Sequence, residues 1–196
     1  GGFFLLFDKN WGILREIMAS PMPRKNIVLG IALSGVTKSC IQSVIILIFG
    51  MVLGITLFIG QGAGAVMISM IGSLLFIAVF SIIFLCVSLT LAVKMDSPEG
   101  FQGVSTLLTM PLFFLSNSLY PMEGLPPVVH QIALLNPLTH LTTGIRYFII
   151  GDHFGAIGLV FTYTPLDILI SFGYLTIIAV GMFIVAWRTV EHAVVT

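Results

Sequence analysis

Long apolar runs, broken by short polar or proline-marked segments, set the frame of this chain. Between 39 and 93 there is no Asp, Glu, Lys or Arg. One helix of that length would run ~80 Å, against a hydrocarbon core of about 30 Å, so the run has to turn. Glycine is densest at GQGAGA, 60–65, which predicts one span over 39–59 and another over 65–93. A charged loop, KMDSPEG, occupies 94–100. Its Ser97-Pro98 pair reads as a helix start, with serine as N-cap and proline at the first helical position. A third span over 99–120 follows, kinked at Pro111. Thr164-Pro165 opens the last run, 165–187, with Asp167 spaced for a capping box and Trp187 and Arg188 at the far interface. The apolar run 3–7 is too short to span and reads as the tail of an earlier helix.

The segment 121–164 breaks this pattern. It is mostly apolar, yet Pro121, Pro126, Pro127 and Pro137 interrupt its first half. Proline removes a backbone donor and clashes with the preceding turn, so no single straight helix can pass. Short helices separated by proline breaks are expected. Asn136-Pro137 is a second cap-plus-proline start, and Gly151 suits a helix stop. Between them Leu138, Leu141, Ile145, Phe148 and Ile149 form an apolar stripe, and Thr139, Thr142, Thr143 and Arg146 a polar one. This helix is too short to cross a bilayer and is expected to pack into one membrane face, where irregular backbone needs protein or water around it.

Composition fixes the solvent. The chain is 58% hydrophobic and 8% charged, with a mean hydropathy of +1.13; a soluble domain carries about 25% charged residues. The fold class is therefore all-α: a polytopic membrane bundle of four full spans plus the tail of a preceding one, with short re-entrant-like helices on one side. Net charge is zero and no basic run invites nucleic acid. The most charged segment, 8–26, repeats Trp11, Leu14, Ile17 and Met18 at helical spacing, with Asp8 as a possible cap and Ser20-Pro21 and Pro23 as the end. Two readings stand for it: an amphipathic helix at the membrane surface, or a docking helix for a cytoplasmic partner. Placing it inside and alternating puts Lys9, Arg15, Arg24, Lys25, Lys94 and Arg188 inside and only Arg146 outside. The positive-inside rule agrees with that count, making 121–164 extracytoplasmic and the C-terminus cytoplasmic. Lys38 falls at the mouth of the first span and is expected to snorkel; a helix starting as early as Ile27 would instead bury it and demand a polar cavity or a partner. Gly50 and Gly54 form a GxxxG pair of the kind that permits close helix approach.

Catalytic chemistry is missing from the sequence. No GxxxxGK[ST] loop is present to cradle ATP, and His130, His140, His153 and His192 lack metal-ligand spacing. Cys40 and Cys86 sit inside apolar runs as small core residues. The spans hold too few carboxylates for an ion-coupled pump, so transport would need an external energy source. The expectation is a protein that is not an enzyme and binds no cofactor of its own.

Two stretches carry a family resemblance. Residues 7–30, FDKNWGILREIMASPMPRKNIVLG, resemble the cytoplasmic loop between the second and third spans of type 2 ABC-transporter permeases through Asp8, Gly12, Leu14, Ser20, Pro21, Arg24, Leu29 and Gly30. Residues 111–146 resemble that family's most recognisable motif through Ser116, Tyr120-Pro121, Leu125-Pro126, Asn136-Pro137-Leu138-Thr139 and Arg146. The likeness covers the chain as the tail of span two through span six. Valine (Val128 or Val129) replaces a frequent tryptophan, and His140 stands where an aromatic is common. The resemblance implies a membrane-spanning permease subunit of an ATP-driven exporter in the cell membrane. It implies partners: a second permease protomer, surrounding lipid, and an ATP-binding subunit that carries ATP-Mg. It also implies that Trp11, Leu14, Arg15, Glu16 and Ile17 belong to a coupling helix docking on the ATPase. Ser116, Tyr120, Pro121, Pro126, Asn136, Pro137, Thr139 and Arg146 would then form an extracytoplasmic gate. An ion-driven secondary carrier and a non-transporting membrane scaffold are the rival readings.

Overall fold

The structure is a computed structural model. It describes residues 11–12, 16, 19, 23–55, 57–58, 61–119, 126–156 and 159–192. Leu14, Arg15 and Ile17 of the expected coupling helix, and Tyr120 and Pro121 of the expected gate, lie outside the described residues.

The described chain is helical apart from one hairpin. Helix α1 spans Arg24–Val52, α2 Ala63–Lys94, α3 Pro98–Phe114, α4 Pro127–Leu134, α5 Pro137–Ile149 and α6 Pro165–His192. Between α5 and α6, β1 (His153–Ala156) pairs antiparallel with β2 (Leu159–Thr162), from His153 opposite Thr162 to Ala156 opposite Leu159. Helices α1, α2 and α6 are long and apolar enough to cross a membrane; α3, at 17 residues, is shorter.

Each boundary has a local cause. Ser97 caps α3 by accepting from Gly100 N at 3.1 Å. Thr164 and Asp167 form the expected capping box: Asp167 Oδ2 accepts from Thr164 N at 2.9 Å, and Thr164 Oγ1 from Asp167 N at 3.3 Å. The second run is observed almost as expected, at Ala63–Lys94. The first is corrected: α1 covers Arg24–Val52 rather than 39–59. It starts early because Ser34 and Thr37 do not break it; their hydroxyls donate back to Ile31 O and Leu33 O. It stops early because Gly54 adopts φ +83. Ile55 N then bonds to Gly50 O and Gly54 N to Met51 O, while Ile55 packs on Gly50. That is a Schellman stop with its apolar contact, so Gly54 ends the helix rather than opening a helix-packing face. The last helix runs past the expected interface at Trp187 to His192. Helix α3 ends at Phe114, short of the expected 120, in a turn that leads to Asn117 at φ 59.

Helix α2 is the central post, packed against α1, α5 and α6. Two apolar clusters stack along it. One joins Val28, Cys86, Leu89, Ala92, Phe101, Ala186 and Val190, so the start of α1, the end of α2, the start of α3 and the end of α6 share one end of the bundle. The other joins Phe76, Ile83, Leu141, Ile168, Leu175 and Ala179 and brings in α5. Cys86 is buried in the first cluster as a free thiol, and Cys40 is free and half-buried. Helices α2 and α5 exchange rings for glycines: Phe148 lies over Gly72, and Phe76 lies over Gly144. The two rings meet edge-on at 6.1 Å, and Phe76 meets Phe172 at 5.2 Å.

A methyl group at Gly144 would fall inside the Phe76 ring. Gly144→Ala is therefore expected to destabilise the protein by about 1–3 kcal/mol. Gly103→Ala, where nothing stands within 4 Å, should be neutral or stabilising, since alanine favours helix. Thermal unfolding in detergent checks the pair; equal behaviour of the two variants would refute the ring-and-glycine account.

Candidate functional site

The described part of the proline-broken segment folds into a cap of two short helices whose carbonyl ends meet specific partners. Helix α4 runs only from Pro127 to Leu134, and the carbonyls at its C-terminal end have no partner within the helix. Three side chains from other turns supply donors. Thr139 Oγ1 donates to Ala133 O at 2.7 Å, His140 Nε2 reaches Leu134 O at 2.9 Å, and Tyr174 Oη donates to Leu135 O at 2.6 Å. Asn136 ties the next junction. Its Oδ1 accepts from Leu138 N at 2.9 Å, capping α5, while its Nδ2 donates to Leu112 O at 2.6 Å, near the end of α3.

The far end of α5 is closed in the same way. Phe58 N donates to Ile149 O at 2.9 Å, and Gln61 Nε2 to Phe148 O at 3.4 Å. Gly151 N reaches Arg146 O and Tyr147 O. Gln61 is itself held by Ser69 Oγ at 2.9 Å. These bonds put the α1–α2 turn and the end of α5 at one end of the bundle, opposite the cluster around Val28, Phe101 and Val190.

A run of hydroxyls crosses from α3 to α5: Ser116 Oγ stands 2.8 Å from Ser118 Oγ, which stands 3.0 Å from Thr142 Oγ1. Ser116 is fully buried. Beside it Asn117 Oδ1 is buried without a partner among the described residues. On the α6 side the His140 ring stacks on Tyr174 at 4.3 Å, and its Nδ1 lies 3.0 Å from Ser171 Oγ. Leu134 O can only accept, so Nε2 carries the hydrogen and Nδ1 accepts from Ser171. Burial pushes the imidazole below its ordinary value, against an opposing pull from the Leu134 bond.

Residues 1–150 match the family described as ABC-2 type transporter. The chain belongs to that family. Among its relatives, the "Putative transport permease ycf38" of Cyanophora paradoxa is 31% identical over 144 residues, covering 73% of this chain and 47% of the relative. The "Inner membrane transport permease YadH" of Escherichia coli (strain K12) is 22% identical over 200 residues, 95% of this chain and 64% of the relative. The "Daunorubicin resistance ABC transporter permease protein DrrB1" of Streptomyces coeruleorubidus is 30% identical over 105 residues, 53% of this chain and 37% of the relative. The chain spans about half the length of the first relatives it matches, 47–48%. No solved structure matches it. Membership of the ABC-2 family agrees with the three described helices that are long and apolar enough to cross a membrane.

Of the residues expected in the ABC-2 gate motif, the structure gathers Ser116, Asn136 and Thr139 at one buried junction. Pro126 and Pro137 stand at the starts of α4 and α5. Arg146 lies in the last turn of α5, where a basic charge complements the carbonyl end. The polar stripe of α5 is thus partly turned inward, with Thr139 buried and Thr142 joined to Ser118. Sequence reasoning missed Ser118, His140, Ser171, Tyr174 and Gln61 as cap residues. His140, which stands in an aromatic's place, both packs its ring on Tyr174 and donates a hydrogen bond. Trp11 is 73% exposed, and Glu16 is exposed with its N–H on Gly12 O at 3.2 Å.

Asn136→Ala removes the α5 cap and leaves Leu112 O without its donor. The expected loss is about 1–3 kcal/mol, read as a lowered unfolding midpoint in detergent. Asn136→Asp keeps the capping acceptor and should fall between the two. An Asn136→Ala protein as stable as the parent would contradict the role given to this junction.

Proposed function

We propose that this chain is the membrane-spanning part of a permease subunit in an ATP-driven exporter, working as a dimer with a separate ATP-binding subunit. The observation that carries this reading is the ABC-2 family match over residues 1–150. That match includes both the charged segment 8–26 and the cap. ABC transporters draw their energy from an ATP-binding subunit, so ATP-Mg is bound by that partner and not by this chain. A relative named for daunorubicin resistance supports export over uptake. In this reading α3 together with the residues up to 120 completes a fourth span. The face of α3 bearing Gln102, Thr106, Met110 and Phe114 borders an open groove and is where the second protomer packs.

The positive-inside count puts the charged end of the bundle in the cytoplasm and the cap outside. Trp11, Leu14, Arg15, Glu16 and Ile17 then form the coupling helix, and exposed Trp11 suits it, because an indole at the surface is a typical interface anchor. At the other end Ser116, Tyr120, Pro121, Pro126, Asn136, Pro137, Thr139 and Arg146 form an outer gate. ATP binding and hydrolysis would shift the dimer between inward- and outward-facing states. The gate moves with α3, to which Asn136 ties it.

The test uses the full-length protein co-reconstituted in lipid with its ATP-binding subunit. Trp11→Ala and Glu16→Ala are expected to weaken complex formation by about tenfold and to reduce transport-linked ATP hydrolysis. Both positions are exposed, so folding should be spared. Unchanged complex formation and unchanged ATPase rates in both variants would overturn the docking assignment.

A further inference from the structure

The early start of α1 changes the position of Lys38. It is the fifteenth of 29 residues, about 21 Å along the axis from either end of the helix. The helix is apolar from Ile27 onward, so Lys38 lies near mid-depth of a core about 30 Å thick. It is exposed on the helix surface. Gln42, four residues on, shares that face and is also exposed. Among the described residues Lys38 has no ion pair and the Gln42 amide no hydrogen-bond partner. Beside them a groove of about 460 Å³ runs between α1 and α2, lined by Ser39, Gln42, Ser43, Phe80, Phe84 and Ser88.

An ammonium at this depth is costly and calls for a counter-charge or water. The carboxylates of this sequence are Asp8, Glu16, Asp96, Glu99, Glu123, Asp152, Asp167 and Glu191. Of these, Asp96 lies between α2 and α3, Asp152 follows α5, and Glu99, Asp167 and Glu191 lie near helix ends. Among the described residues none brings a carboxylate to the level of Lys38. The charge calls for an anion, and the groove beside it is part hydroxyl and amide, part aromatic.

We propose that Lys38 and Gln42, at the edge of the α1–α2 groove, bind the anionic headgroup of an amphipathic molecule. The phosphate or carboxylate takes the Lys38 charge and the Gln42 N–H, with Ser39 and Ser88 as further donors. The apolar part lies along Phe80 and Phe84. The site rests on the membrane placement of α1 alone. It is read as binding without ATP or a partner, so its failure is separate from failure of the transport reading.

Native mass spectrometry of the purified full-length protein tests it, with phosphatidic acid as probe. Phosphatidylcholine and inorganic phosphate are the comparison ligands. Parent protein and Lys38→Arg should retain phosphatidic acid, Lys38→Gln should bind it about tenfold more weakly, and Gln42→Leu should weaken it less. Lys25→Gln, at the end of the helix, should leave it unchanged, and phosphatidylcholine should not discriminate among the variants. Equal retention in parent, Lys38→Gln and Gln42→Leu would overturn the proposal. A loss that follows Lys25 instead of Lys38 would assign the lipid to the membrane surface and overturn it too. Competition by inorganic phosphate at the lipid's own concentration would show a free-anion site and remove the amphiphile. Should Lys38→Gln fail to fold, Gln42→Leu against Lys38→Arg decides: equal binding by the two refutes the site.

Discussion

The exchange of rings for glycines between α2 and α5 is the contact on which the rest of the structure depends. Helix α5 is only 13 residues long and cannot hold itself in a membrane by spanning it. It is held by shape: Phe76 of α2 over Gly144, and Phe148 of α5 over Gly72. Both notches need a residue without a Cβ, and both rings are spaced four residues from the glycine on their own helix. Lipid gives apolar helices little reason to associate, so close packing and hydrogen bonds must do it. Once α5 is fixed, its ends define where the neighbouring turns can go.

A second constraint acts through the backbone. A chain that breaks three times near a membrane face exposes carbonyls that lipid cannot satisfy. Here the carbonyl end of α4 is met by Thr139, His140 and Tyr174, and the end of α5 by Phe58 and Gln61. Asn136 joins the start of α5 to α3. The cap is therefore both rigid in itself and tied to three longer helices. That combination suits an element whose movement must follow a helix rather than occur on its own.

Much of this was legible in the residues. Cap-and-proline pairs at Ser97-Pro98, Asn136-Pro137 and Thr164-Pro165 mark helix starts whose geometry the structure reproduces. Their signal is local: one side chain and one fixed φ decide the matter. The end of α1 was misplaced because glycine density pointed to 60–65, whereas a single glycine in a left-handed conformation, Gly54, is sufficient. Its start was misplaced because the charge-free run begins only after Lys38, which reads as the mouth of the span; Ser34 and Thr37, bonded back to the helix, cost it little. The hairpin His153–Thr162 was missed, since its strands carry no polar alternation; the two-residue connection ending in Gly158 was the available sign. His140, Tyr174 and Gln61 could not be read as cap residues, because their partners are carbonyls distant in sequence.

The account stands on a bundle with two unlike ends: a charged end formed by α1, α2, α3 and α6, and a capped end formed by the α1–α2 turn with α4 and α5. The most direct measurement is thiol labelling in intact cells. Single cysteines would be placed at Gly62, Gln131, Lys94 and Arg188 after replacement of Cys40 and Cys86 by alanine. The account predicts that positions 62 and 131 react with a membrane-impermeant maleimide from outside, and that 94 and 188 react only after permeabilisation. Labelling of 94 or 188 in intact cells, or 62 and 131 falling on opposite sides, would contradict it.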